Sequence, residues 1–313
     1  MKKNSFFQFL LNKRSLVILG FLLVCAGVFT REFFTVSNLT NVMLQIATDG
    51  IIAVGATFVI ISGGIDLSVG SLVALVSVIT IILQTKFNTP IGIIVSIAAG
   101  ISVGLLNGLL ITRVGISPFV TTLGMMTLIK GIALAVSDSH SHSGIDPNFA
   151  RLADYPIFGI PFAAIIFLLF VLAANAFLVK TSIGRGYYAV GGNPEASWLA
   201  GLNTNRYILM AYVFCSFCTA IGGILLTSRI NTGSPIIAGD TGTTVVSAVL
   251  LGGTSMAGGI GTVYGTFIGV LILGVLKNMM NLMGIGGYYQ TIFLGLLLVI
   301  TVLADRTHFN QHK

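Results

Sequence analysis

Charge is what this sequence has least of. Only 8% of its 313 residues are Asp, Glu, Lys or Arg, against about 25% in soluble domains. So low a fraction excludes a soluble globular protein and points to a chain solvated by lipid. Acids are scarcer than bases: 9 Asp and Glu stand against 16 Lys and Arg, a formal net charge of +7. The basic residues are scattered between apolar runs, which argues against a nucleic-acid surface, where they would cluster on one face. Cysteine is limited to Cys25, Cys215 and Cys218, all inside apolar runs. Cys215 and Cys218 have redox or metal spacing, but no His or acid lies near them, so they read as small buried residues. No GxxxxGK[ST] run occurs, so the chain carries no nucleotide-phosphate loop of its own. No Ser/His/Asp cluster, metal set or pair of acids falls within the apolar runs. Nothing in the sequence points to an enzyme.

What remains is apolar: 55% hydrophobic residues and a mean hydropathy of +0.99. Runs of near membrane-crossing length recur at about 15–30, 41–62, 68–84, 91–112, 117–137, 160–179, 207–228, 243–257, 261–282 and 288–304. The reading is an all-α polytopic membrane protein of about ten transmembrane helices. It forms a single transmembrane domain over 1–313, with halves of about 1–179 and 207–313 around a polar loop, 180–206. The eighth run holds Gly252 and Gly253 and reads as broken.

Lys2, Lys3, Lys13 and Arg14 precede the first apolar run, as they would in a secretory signal. Yet Val24 before Cys25 is not small and no Ala-x-Ala site follows, so a retained first span entering from the cytoplasm is expected. Both termini then lie in the cytoplasm. With them go Arg113, Lys180, Arg185, Arg206, Arg306 and Lys313, while Arg31, Lys86, Arg151 and Arg229 lie outside. That asymmetry follows the positive-inside rule. Lys130 and Lys277 stay within spans. The largest outer segment, 137–161, contains His140 and His142, whose spacing suits a metal. The flanking Ser and Gly residues read instead as a plain solvated loop.

The 180–206 loop reads as carrying one short helix. Asn193 suits the N-cap and Pro194 the first helical position. Glu195 lies in the first turn, where the helix dipole favours negative charge, and Gly201 suits a left-handed C-terminal position. Such a helix shows Trp198 and Leu199. It lies either on the lipid interface or against a soluble partner.

Two glycine-rich segments interrupt the apolar runs. Ser62–Ser71 (SGGIDLSVGS) holds Asp66 between two spans. A carboxylate there either caps the following span at the membrane surface or takes a direct part in transport or gating, with Ser68 supplying a hydroxyl. Leu251–Gly261 (LGGTSMAGGIG) is the second segment. Gly100, Gly104 and Gly108 recur every four residues, as do Gly261, Gly265 and Gly269. Each set reads as a smooth helix stripe against other protein, within the subunit or across a dimer. A faint repeat, GLLNGLL at 104–110 against GVLKNMM at 274–280, lies on spans of opposite direction, as inverted repeats require.

Several of these strings resemble one family. Ser182-Ile183-Gly184-Arg185, Tyr188-Ala189-Val190-Gly191-Gly192-Asn193-Pro194-Glu195-Ala196 and Ala200-Gly201-Leu202-Asn203 resemble the cytoplasmic loop of ribose-type ABC sugar permeases. GGIDLSVGS, LGGTS with its following glycines, and Tyr288-Tyr289-Gln290 extend the likeness from Phe34 to Asp305. One departure stands out: family members often carry acids shortly before LGGTS, and here only Asp240 is acidic.

The resemblance implies a type II ABC importer-like fold with an inverted repeat, in the bacterial inner membrane. It implies a coupling helix that docks on the ATPase through Gly191, Gly192, Asn193, Pro194, Glu195, Trp198, Leu199 and Gly201. The implied partners are that ATPase, which would hold ATP and Mg, and a periplasmic or surface-tethered sugar-binding protein. A second permease subunit, as a homodimer, and membrane lipid complete the set; no nucleic acid and no cofactor in this chain are expected. A neutral sugar needs passing hydrogen bonds and little charge. Asp66, Ser68, Asn107, Thr122, Asn278 and Asn281 are therefore candidates for the path or its gate, with Thr121, Thr127 and Lys130 beside them. Each also suits simple interhelical hydrogen bonding. The rival class is a carrier driven by H⁺ or Na⁺, with Asp66 as the coupling acid. Within the ABC class, an autoinducer, nucleoside or amino-acid permease would show similar patterns.

Overall fold

A computed structural model describes the backbone of residues 14–310 and the side chains of residues 15–303. Lys2, Lys3, Lys13 and Lys313, and the side chains of Arg14 and Arg306, which helped orient the chain, lie outside these limits. The regular elements of the described chain are helices apart from four two-residue strands. In order the helices are α1 (Arg14–Phe29), α2 (Val36–Ile61), α3 (Val69–Lys86), α4 (Thr89–Leu109), α5 (Pro118–Val136), α6 (Pro147–Ala150), α7 (Phe162–Lys180), α8 (Ser182–Gly192), α9 (Pro194–Leu199), α10 (Thr204–Ile230), α11 (Thr241–Leu251), α12 (Val263–Leu282) and α13 (Gly287–Asn310). A π-helical turn, Leu110–Val114, continues α4 until Gly115 turns left-handed.

Among the described residues, seven helices are long and apolar enough to cross a membrane: α2, α3, α4 with its π turn, α5, α7, α10 and α12. The apolar stretches of α1, α11 and α13 within the described residues, Ser15–Phe29, Thr241–Leu251 and Gly287–Leu303, are shorter. The eighth expected run stops at Leu251, because Gly252 ends the helix and Gly253 turns left-handed at φ +90°.

The bundle is built around α2, whose apolar stretch is 89% buried. Helix α10 packs against α2, α3 and α4, and α12 packs against α1, α2 and α11. Small residues set these approaches. A Cβ on Gly55 of α2 would stand 2.8 Å from the Cys215 Cα and 2.9 Å from the Cys218 Cβ, so the two cysteines act as packing residues of α10. Gly100, Gly104 and Gly108 lie along α10, with a Cβ on Gly104 reaching 2.6 Å from the Tyr212 carbonyl. This stripe packs inside the subunit. Of the second set, Gly265 and Gly269 pack on the backbone of Gly252 and Ala248. Gly261 does not belong to it: at φ +156° it precedes the Thr262 N-cap and lies against Thr254.

At one end of the bundle, the 137–161 segment is pinned rather than freely solvated. Strand β1 (His142–Ser143) pairs antiparallel with β4 (Thr232–Gly233). The Gln84 carbonyl accepts from the Ile145 amide at 3.0 Å, and Asn231 donates its side-chain amide to the Gly144 carbonyl at 3.1 Å. The rings of His140 and His142 meet the backbone carbonyls of Asp138 and Ser137. A small hairpin, β2 (Pro156–Ile157) with β3 (Ile160–Pro161), completes this end. Helices α8 and α9 lie beyond the spans, between α7 and α10.

Candidate functional site

The 180–206 segment holds two helices where one was expected. Glycines fill much of α8, so its sequence is a poor helix former, and packing makes it. The Thr181 hydroxyl caps it by accepting from the Gly184 amide at 2.9 Å. The Tyr187 ring meets Phe58 edge-on at 5.3 Å and Tyr207 at 5.2 Å. Burial, then the neighbouring Tyr207, pushes the Tyr187 hydroxyl up to about 12. It stays neutral and behaves as core.

Helix α9 follows at once. Asn193 caps it as its sequence implies, accepting from the Ala196 amide at 2.9 Å. Pro194 opens it, Glu195 sits in its first turn, and Gly201 takes φ +87° just past its end. Ser197 faces inward, while Trp198 and Leu199 are 66% and 73% exposed.

Gly191 and Gly192, just before α9, form a backbone joint. A Cβ on Gly191 would collide with the Ile61 carbonyl at the end of α2 and stand 2.7 Å from the Gly259 amide. That amide donates to the same Ile61 carbonyl at 2.8 Å. A Cβ on Gly258 would lie 2.6 Å from the Gly191 oxygen and 2.9 Å from the Gly63 Cα. The Tyr188 hydroxyl donates to the Gly261 carbonyl at 3.0 Å. Three segments thus meet main chain to main chain: the root of α9, the 62–68 segment after α2, and the 252–262 segment before α12. Gly191, Gly258 and Gly259 are explained by lack of room, whereas Gly63 is required by its positive φ of +83°.

The 62–68 segment carries Asp66, 3% exposed. Its Oδ1 accepts from the Ser68 amide at 2.9 Å and the Ser68 hydroxyl at 2.6 Å. Asn107 of α4 donates to the Ser68 Oγ at 3.1 Å. The neighbouring Ile65 carbonyl accepts from the Thr122 hydroxyl at 3.3 Å and the Tyr212 hydroxyl at 3.1 Å. The structure therefore brings Asp66, Ser68, Asn107 and Thr122 together from α4, α5 and the turn before α3. Asp66 is buried, and it accepts the Ser68 amide at the start of α3, where Ser68 takes the N-cap position without a side-chain cap bond of its own. Asp66 Oδ2, Asn107 Oδ1 and Thr121 Oγ1 are buried without a hydrogen-bond partner. Two of these atoms accept only, so the cluster is short of donors.

Two clefts adjoin the segment. One of about 220 Å³ is lined by Gly63, Gly64, Ile65, Pro118, Phe119 and Met256. The other, about 320 Å³, is lined by Leu67, Gly70, Ser71, Thr127, Lys130 and Ile236. Ile65 borders the first and Leu67 the second, with Asp66 buried between them.

Asn278 and Asn281 lie elsewhere. Asn278 exchanges amide hydrogen bonds with Asn38 at 3.0 and 2.8 Å, and Asn281 accepts from Gln290 at 2.6 Å. Both serve packing between elements. Sequence reasoning missed Tyr212 and Asp49. A tyrosine inside an apolar run was the available signal for the first, since its buried hydroxyl needs a partner. An acid inside an apolar run was the signal for the second.

Residues 38–302 match the family model described as branched-chain amino acid transport system / permease component. The ribose import permease protein of Bacillus subtilis (strain 168) is 37% identical over 288 residues, 91% of this chain and 89% of the relative. The ribose import permease protein of Escherichia coli (strain K12) is 34% identical, covering 95% of this chain and 94% of its own. The L-arabinose transport system permease protein of the same organism is 34% identical over 93% and 89%. No solved structure matches.

Proposed function

The chain belongs to the permease family of ribose-type monosaccharide ABC transporters, and from that premise we propose how it works as the membrane subunit of a bacterial sugar importer. It is a multi-pass inner-membrane protein and not itself an enzyme; ATP hydrolysis lies on a separate ATPase subunit. That subunit, with its ATP and Mg, docks on α9. The observation that carries this reading is an exposed Trp198–Leu199 pair, held by Asn193 and Gly201, on a helix rooted in main-chain contacts with the bundle.

In the proposed orientation both termini and α8–α9 are cytoplasmic. The β1–β4 end receives a sugar from its binding protein. The apolar helices α1, α11 and α13 complete about ten crossings, arranged as an inverted repeat of type II importer form. Two copies of the chain enclose the path. Asp66, Ser68, Asn107 and Thr122 form the gate between the two clefts. Unpaired acceptors at Asp66 and Asn107 suit sugar hydroxyls, which donate, once the segment opens. A pentose such as ribose is the first substrate to test.

The test is uptake of labelled D-ribose into proteoliposomes holding permease and ATPase with binding protein supplied, ATP and the proton gradient being varied separately. Uptake should follow ATP and ignore the gradient. Uptake that follows the gradient without ATP overturns the reading.

A further inference from the structure

Helices α2 and α12 run antiparallel through the centre of the bundle, and polar groups join them at several depths. At one end, Asn38 and Asn278 exchange two amide hydrogen bonds. Toward the other, the Thr57 and Thr266 hydroxyls meet at 2.7 Å. At the end of α2, the Ile61 carbonyl takes the Gly259 amide, which leads into α12. Polar contacts repeated along two apolar helices fix their register, because a one-turn slip would strand every buried partner at once.

Between the first two rungs lies a cavity of about 10 Å³, lined on its polar side by Gln45 and Asp49 of α2, Thr244 of α11 and Lys277 of α12. Asp49 is near the middle of α2, roughly 20 Å from either end at 1.5 Å per residue. With a hydrocarbon core of about 30 Å, it lies deep in the membrane. A charge at that depth needs a partner. Lys277 is the one cation among the residues that line this cavity with Asp49. The cavity between them is about the size of one water, and its four polar side chains are enough to hold one. Gly274, one turn from Lys277, has no room for a Cβ against Ile46, which keeps the helices close at this level.

We propose that Asp49 and Lys277 form an intramembrane charge couple, with room for one bridging water, that fixes the register of α2 against α12. The couple is the only charged rung of this ladder among the described residues. Its consequence is mechanical. The 62–68 segment continues α2 and the 252–262 segment leads into α12, so a fixed register makes both segments move as one body. Asp49 and Lys277 are positioning residues; neither borders the two clefts beside Asp66.

The test is a double-mutant cycle on the full chain with its ATPase. Asp49→Asn, Lys277→Met, the double neutral variant and the swap Asp49→Lys with Lys277→Asp are compared. Each is scored for thermal midpoint in detergent and for ATP-driven uptake of labelled D-ribose per folded transporter. Each single change should lower uptake at least about tenfold, because it leaves a half-buried charge without its partner at membrane depth. The double neutral variant should recover to within about threefold of the parent, with its midpoint restored. Where the single variants fail to fold, recovery of folded protein in the double or swapped variant carries the same information. Losses that multiply in the double variant, with no recovery in the swap, overturn the couple. So does a Lys277→Met variant indistinguishable from the parent. If no variant, parent included, takes up ribose, the substrate reading fails, while the midpoints still decide the couple.

Discussion

Asp66 binds Ser68 through one carboxylate oxygen and leaves the other buried without a partner. Asparagine there can still accept from the Ser68 amide and hydroxyl, though more weakly than a carboxylate. Alanine leaves both donors stranded, at about 1–3 kcal/mol if they stay buried. Asp66→Asn should therefore keep partial ATP-dependent uptake, and Asp66→Ala should lose more. The measurement is proteoliposome uptake of labelled ribose for the three forms at matched protein. Equal loss in both variants would mean the negative charge, not the acceptor, is what matters. Asp66 was legible in the sequence because a carboxylate between apolar runs is conspicuous. Its surroundings were less so: Asn107 lies 39 residues from Ser68, and only the fold shows that α4 brings the two together while α12 takes Asn278 to Asn38.

At the scale of the element, α9 and α8 show opposite relations to sequence. Helix α9 is written locally: cap, proline, acidic first turn and left-handed glycine are consecutive letters, and all four take their expected places. Helix α8 was not legible, because its glycines lower intrinsic propensity and its formation depends on Tyr187 meeting Phe58 and Tyr207. An exposed Trp198 at the tip of α9 suits a docking anchor, since tryptophan often dominates interface energetics. Trp198→Asp should abolish co-purification of the ATPase while the permease still inserts, which detergent pull-down checks. Undiminished assembly would remove α9 from the interface. The α4 stripe gives a separate expectation. A Cβ on Gly104 already reaches the α10 backbone, so Gly104→Leu should push α4 off α10 and sharply reduce folded yield in size-exclusion chromatography. A normal yield would contradict the packing seen here.

Across the whole molecule, hydropathy marked ten apolar runs, seven of which are helices of crossing length among the described residues, but it did not show the contact that unites them. Long apolar runs mark the seven helices of spanning length. The same hydropathy says nothing of which glycines touch, and the joint at Gly63, Gly191, Gly258 and Gly259 draws on segments far apart in sequence. This joint lies between α9 and the Asp66 segment, so in the proposed mechanism it carries a displacement of α9 to the path. Gly191 lies in α8 and needs no positive φ, so alanine suits its backbone and only the contact with Ile61 and Gly259 is disturbed. In Gly191→Ala the exposed face of α9 is intact, so the ATPase should still bind. The Ile61–Gly259 hydrogen bond must lengthen to admit the methyl group, and the two segments should no longer follow α9 together. The expected outcome is a complex that hydrolyses ATP at a rate near the parent's but takes up ribose at least about tenfold more slowly, a loss of roughly 1.4 kcal/mol in coupling. Simultaneous ATPase and uptake assays on one proteoliposome preparation check it. Hydrolysis and uptake falling in parallel would place the defect in docking. Parent-like values for both would mean that motion reaches Asp66 by another route.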